Sequence, residues 1–243
     1  MEKILTDYEF VLWDKNRFDV ESVLWVKEAY YQKKYAFAAD YIRLYAVYNY
    51  GGIYLDTDVE ILKKFDDLLQ CHQMFGYEGE ERQGIEAGCF GAEKNDNFIG
   101  YCLEHYRNRH FLKKDGSMDT ETLPMIMQSA MLQNPGLFVY PWCYFTAKNQ
   151  ETGKVVKNSF TYAIHHFAGS WLSEYEKEVK QLSISANDKY GKRFVSKFYV
   201  VLRMCFLRFK YFGFLHALTY YLTQYVLFQN GLKPLKKMIS FFK

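Results

Sequence analysis

Asp56 and Asp58 stand two residues apart directly after the apolar run Ile53-Tyr54-Leu55, and Asp40 and Arg43 lie three apart in the segment before it. Residues two apart on extended backbone point to the same side, so both carboxylates can address one point while Thr57 faces away. Two such carboxylates left unpaired raise each other's pKa, a cost that a divalent cation removes directly. Oxygen ligation suits Mg2+ or Mn2+ better than zinc, and such sites leave positions to water and phosphate oxygens. Three-residue spacing on a helix puts Asp40 and Arg43 on one face, one accepting hydrogen bonds from hydroxyls and the other neutralising phosphate. The chemistry implied is a grip on a metal-bound diphosphate. The simpler readings are solvated turn carboxylates and a surface ion pair.

These residues need a helix and a strand to hold them. Residues 36–50 lack proline and internal glycine, and Gly51-Gly52 supplies a left-handed stop, which predicts a helix. Residues 53–55 read as a strand buried in a mixed or parallel sheet, with the carboxylates at its carboxyl end. Helices are expected over 20–34, 96–109 and 121–133, and strands over 85–92, 137–140 and 162–166. Strands interspersed with helices indicate an α/β sheet, whose ligand crevice lies outside the carboxyl ends of the strands. Glu86, Gly88 and the loop over 115–122 could face an acceptor, since polar groups on loops serve recognition, although Asp115-Gly116 reads first as a solvated turn. Trp13 reads as core filling rather than as part of a pocket.

The run over 35–61 resembles the DXD sugar transferases of glycosyltransferase family 32, which include bacterial capsule enzymes and yeast initiating mannosyltransferases. Two further stretches extend the likeness over roughly residues 7–172: Tyr8-Glu-Phe-Val-Leu-Trp13-Asp14 looks like the family's second strand, and Ile164-His165-His166-Phe-Ala-Gly169-Ser170-Trp171 like its metal and phosphate motif. The resemblance implies a GT-A-like mixed sheet flanked by helices and a retaining transferase using Mn2+ or Mg2+. Its donor would be a nucleotide diphosphate sugar, UDP-linked or GDP-linked, with UDP favoured. The acceptor would be a glycan or a lipid-linked sugar in surface polysaccharide synthesis. Asp58 would then ligate the metal, Asp56 would contact ribose and metal, and Asp40 and Arg43 would hold the donor sugar. Tyr54, Ser170 and Trp171 join the donor contacts. His166 is the expected third ligand, because His166-Phe-Ala-Gly169 is similar to a His-Tyr-x-Gly motif of family 8 galactosyltransferases. His165 stays open as the alternative, since strand alternation turns only one of the pair to the site.

Family members open on a strand and a Trp-Phe-Gly segment that line the nucleotide base, and Met1-Glu-Lys-Ile4 begins too late to contain them. The chain is therefore expected to lack the usual first strand, as a truncated product, a misplaced start or a variant without donor binding. Two other functions remain open. Ile-Tyr-Leu-Asp56-Thr-Asp58 also fits a haloacid-dehalogenase-like phosphatase with Asp56 as nucleophile, and the absent strand fits a noncatalytic membrane-attached remnant.

The net charge of +3 hides an asymmetry: residues 189–243 carry eleven Lys and Arg without an Asp or Glu, and the rest carries 20 basic against 28 acidic residues. This sets two domains, a transferase domain over 1–188 and a basic helical tail over 189–243. Within the tail, Phe194, Phe198, Leu202, Cys205 and Phe209, and then Phe214, Leu218, Leu222 and Tyr225, recur at helical spacing. Residues 211–232 lack charge, yet His216, Thr219, Thr223 and Gln224 favour an in-plane helix pair on an anionic membrane over a spanning helix. No recognition motif accompanies the basic residues, so nucleic acid is not the expected partner. Five scattered cysteines and the lack of an apolar leader point to a cytoplasmic protein, peripheral on the inner face of the membrane.

Overall fold

The computed structural model describes residues 1–169, 172–190 and 194–229, and the chain divides into two compact units. The first comprises Met1–Gln150 with Lys154–Trp171, and the second Glu151–Gly153 with Leu172–Lys243. Among the described residues the first unit holds four α-helices, α1 (Leu24–Tyr31), α2 (Tyr35–Tyr50), α3 (Asn97–Glu104) and α4 (Leu123–Leu132). Its strands are β1 (Gly52–Leu55), β2 (Val59–Ile61), β3 (Gln73–Met74), β4 (Cys89–Ala92) and β5 (Ala163–His165). The second unit holds α5 (Glu174–Tyr190), α6 (Phe194–Phe212) and α7 (Phe214–Gln229).

Local chemistry sets the ends of the elements that matter. Gly51 stops α2 at φ +71°, and a Cβ there would also meet the Lys94 backbone nitrogen at 3.0 Å. The Asp96 carboxylate caps α3 by accepting from the Ile99 N–H at 2.9 Å. Pro124 occupies the first turn of α4, where its missing N–H leaves no helical bond unmade.

The fold is mixed α/β with two small sheets, ordered β1-β4-β3 and β2-β5. Each ladder is antiparallel, which differs from the mixed or parallel sheet expected from residues 53–55; the parallel component among the described residues is one isolated bridge, Gly76 to Tyr140. A short apolar run is compatible with either pairing, and only the partner decides. That bridge is also all that remains of the strand expected over 137–140.

Residues 8–14, expected from the resemblance as a strand, form no ladder, and Leu12 is 76% exposed. A resemblance in a single segment does not supply the partner strand that a ladder needs. Trp13 turns inward instead, edge-on to Tyr45 and Tyr50 at 6.0 and 5.2 Å.

Two apolar clusters brace the sheets. One joins Trp25, Leu44, Phe90, Phe98 and Ile126 from the helices and β4, and the other joins Val59, Ile61, Phe65, Phe145 and Tyr162 around β2 and β5. The tight connection from β1 to β2, residues 56–58, carries the chain from one sheet to the other.

Candidate metal and donor site

Helix α2 delivers Arg43 into the interior, where it is 8% exposed and held on several sides. Its Nη1 donates to the Ala87 carbonyl at 2.7 Å and to Asp56 Oδ2 at 3.3 Å, and its Nη2 lies 3.4 Å from Asp40 Oδ1. The guanidinium also sits 4.8 Å over the Tyr54 ring. Asp40, equally buried, accepts from the Leu123 N–H at 3.2 Å through its other oxygen. Burial pushes the Asp40 carboxyl up to about 6 despite the pull of Arg43, so it is largely ionised at neutral pH. The pair is thus an interior network anchoring Asp56, rather than the surface ion pair that spacing alone allows.

The last rung of β1 places Asp56. Its N–H donates to the Gly88 carbonyl at 2.7 Å, extending the β1–β4 ladder by one residue. Its Oδ1 accepts from the Tyr54 hydroxyl at 2.6 Å, so Tyr54 fixes this carboxylate from one side and Arg43 from the other. The chain then turns, with the Val59 N–H donating back to the Asp56 carbonyl at 3.1 Å. Convergence of the two carboxylates is therefore made by a turn, not by strand alternation.

Strand β5 supplies the third group, and it is His165. Its Nε2 lies 3.4 Å from Asp58 Oδ1 and 4.0 Å from Asp56 Oδ2, and one ligand atom from each of the three side chains falls within 4.8 Å of the others. The register pairing Val59 with His165 sets this, because it aligns β5 with the strand that follows the carboxylates. His166, expected as the third ligand, is not brought to the aspartates; its ring meets Glu60 at 2.8 Å. Two carboxylates and one imidazole form a donor set that accommodates Mn2+ and, less readily, Mg2+.

Behind His165 stands Glu86, wholly buried, with Oε1 2.9 Å from His165 Nδ1. Glu86 is itself fixed by the Gly88 N–H at 2.6 Å and the Thr146 hydroxyl at 2.7 Å. A carboxylate on Nδ1 holds the proton there and leaves Nε2 to face the aspartates. Burial alone would lower the His165 pKa, but Glu86 with Asp58 and Asp56 outweighs it and holds it above the ordinary value. Phe167, at a left-handed φ of 52°, stacks on the imidazole with ring centroids 4.0 Å apart. Gly88 makes room for this grouping, since a Cβ there would meet His165 Cε1 at 2.7 Å and Asp56 Oδ2 at 2.9 Å. Glu86 and Gly88, expected to face an acceptor, thus build the wall behind the ligands. The signal for this was the tight Glu-Ala-Gly spacing, but no sequence rule ties it to a histidine some eighty residues away.

Asp58 Oδ2 accepts from the Ala168 N–H at 2.7 Å, and its carbonyl accepts from the His166 N–H at 3.1 Å. The His-Phe-Ala segment is thereby tied to the aspartate through its backbone. Ser170 and Trp171, expected to contact the diphosphate, lie outside the described residues.

His165→Ala should weaken Mn2+ binding by tenfold or more (~10-fold is a usual cost even for an outer partner), read by calorimetry on the full chain. His166→Ala removes only a half-exposed contact and should leave affinity within about a factor of two. Equal losses in the two variants would overturn the assignment.

Residues 1–75 match the model of the glycosyltransferase sugar-binding region containing DXD motif. Inositol phosphoceramide mannosyltransferase 3 of Schizosaccharomyces pombe is 33% identical over 97 residues, which cover 38% of this chain and 27% of that protein. Glucan organizing enzyme 1 of Cryptococcus neoformans is 48% identical over 82 residues, covering 30% of this chain and 22% of that protein. Over its DXD region the chain is similar to glycosyltransferase family 32. Its matches span about a quarter of the length of these curated relatives. No solved structure matches it.

Proposed function

We propose that the chain is a metal-dependent, retaining glycosyltransferase that moves a sugar from a nucleotide diphosphate sugar to a glycan or lipid-linked acceptor. The observation that carries this reading is the meeting of Asp56, Asp58 and His165 within 4.8 Å, at the end of β1 and beside the buried Arg43. A GT-A-like arrangement and a role in surface polysaccharide synthesis belong to the same proposal. They draw support from the matched DXD region and from the mannosyltransferase named among the relatives.

A Mn2+ or Mg2+ ion held by these three side chains would draw charge from the departing diphosphate. The protein's own groups do the rest. Arg43 acts through Asp56, its positive charge offsetting the two carboxylates when the site is being filled. Tyr54 and Glu86 fix the ligands in advance, so little reorganisation is needed when charge develops. Asp40 is ionised above about pH 6 and still has oxygen lone pairs for a sugar hydroxyl beside those used by Arg43 and Leu123.

The phosphatase alternative asks Asp56 to act as a free nucleophile, yet both of its oxygens are engaged, one by Tyr54 and one by Arg43. The test is incubation with a panel of UDP- and GDP-sugars and Mn2+, with mass spectrometry of the products. Release of nucleoside diphosphate, abolished by chelator, is expected. Release of inorganic phosphate from phosphomonoesters without nucleoside diphosphate would overturn the proposal.

A further inference from the structure

In the second unit the helices α6 and α7 carry large apolar side chains on their exposed faces as well as on their buried ones. The α6 helix buries Val200 and Leu207 but also Arg208, and α7 buries Tyr220 and Gln224. The Arg208 guanidinium lies 4.5 Å over the Tyr220 ring, so a charge shares the inner face with Val200 and Leu207. Large apolar side chains occupy the outer one. Leu202, Phe206 and Phe209 follow one another at helical spacing on α6, with Phe206 59% exposed. Phe214, Leu218 and Leu222 do the same on α7, with Phe214 64% exposed. Gly213, at φ +86°, is the single break between these helices. Scattered exposed leucines need no explanation, but continuous stripes of them on two successive helices mark a surface meant to be covered.

Charge says by what. Arg203 and Lys210 are exposed on α6, seven residues apart and therefore on one flank of the phenylalanine stripe. Lys210 meets Glu178 of α5 at 2.6 Å, an exposed pair that a stronger anionic field can replace. Residues 189–243 as a sequence carry eleven basic and no acidic residues, so a second copy of this tail would be repelled, whereas an anionic surface would be drawn to it. Among the described residues no helix is long and apolar enough to cross a membrane. Apolar stripes flanked by arginine and lysine, on helices that do not cross, suit the plane of a lipid headgroup region.

We infer that α6 and α7 dock flat on an anionic lipid bilayer, with Leu202, Phe206, Phe209, Phe214, Leu218 and Leu222 entering the acyl boundary and the basic flank meeting the headgroups. This stands independently of the sugar chemistry.

The full chain is floated with vesicles of phosphatidylcholine alone and with vesicles in which about a third is phosphatidylglycerol, at low and at near-physiological salt. Recovery should be at least ~tenfold higher with the anionic vesicles and should fall as salt rises. Phe206→Asp combined with Phe209→Asp should lower that recovery by ~tenfold or more. Phe138→Asp, which alters an equally exposed ring on the first unit, should leave it unchanged. Phe214→Asp with Leu218→Asp gives a second reading if the first variant fails a circular-dichroism check of its fold. Equal recovery of the unaltered chain with both vesicle types overturns the inference. So does failure to float together with a light-scattering dimer that the α6 variant dissolves, since the stripe would then belong to a second copy.

Discussion

Asp58→Asn should lower Mn2+ affinity by at least ~100-fold and take metal-dependent donor hydrolysis below detection, while the protein unfolds at an unchanged or slightly higher temperature. The amide keeps an oxygen for the Ala168 N–H, which Asp58 engages at 2.7 Å, so the His-Phe-Ala segment stays tied down. What is lost is a charge 3.4 Å from His165 and one of three converging ligand atoms. With no cation bound, removing that charge also relieves repulsion with Asp56, which is why stability is not expected to fall. Calorimetry with Mn2+, nucleotide-sugar hydrolysis and thermal unfolding on one preparation separate these effects. Turnover retained at the level of the unaltered chain would remove Asp58 from the site.

Arg43→Leu should have the opposite balance, with a large loss of stability. The change strips Asp40 and Asp56 of their shared cation and the Ala87 carbonyl of its donor, all in a region where Arg43 and Asp40 are buried. Breaking a buried charge network from one side typically costs ~3–5 kcal/mol, because the charges left behind cannot reach water. The cost should depend on pH. Asp40 already has a folded-state pKa raised to about 6 against an ordinary 3.8, so its contribution is fully present below the lower value and lost as pH rises through the upper one. Without Arg43 that pKa climbs further, and the deficit should be smallest near pH 5 and largest near pH 8, to about a unit either way. Urea unfolding at both pH values measures it. A loss below ~1 kcal/mol at pH 8 would mean that Arg43 contributes no more than an exposed pair does.

Much of this arrangement was legible in local chemistry. The α2 helix and its stop at Gly51 follow from helix-favouring residues ended by a glycine that can adopt positive φ, and both depend on neighbours only a few residues apart. The strand before the carboxylates follows from an apolar run bounded by glycine and acid. Resemblance of residues 35–61 to family 32 rested on the same contiguous stretch, within the region the family model matches. Element ends were less legible: the helix expected over 20–34 forms only as Leu24–Tyr31, and that over 96–109 as Asn97–Glu104. Helix ends depend on caps and packing more than on periodicity.

The residues that sequence reasoning misplaced all depend on long-range pairing. Alternation along a strand shows that only one of His165 and His166 faces the aspartates, but not which one. Glu86 was read as facing an acceptor, because a carboxylate is rarely buried unless paired and its partners Thr146 and His165 lie far along the chain. The segment over residues 8–14 resembled a family strand but pairs with none among the described residues.

The amino-acid sequence by itself determined the helix that carries Asp40 and Arg43, the paired carboxylates that follow β1, and the basic aromatic tail, because each is written in residues adjacent in the chain. The tertiary structure alone decided that His165 completes the acidic pair, that Glu86 stands behind it, and that Arg43 works from the interior. Those outcomes rest on the antiparallel register of β2 with β5 and of β1 with β4, and register is a property of two segments that no single segment encodes.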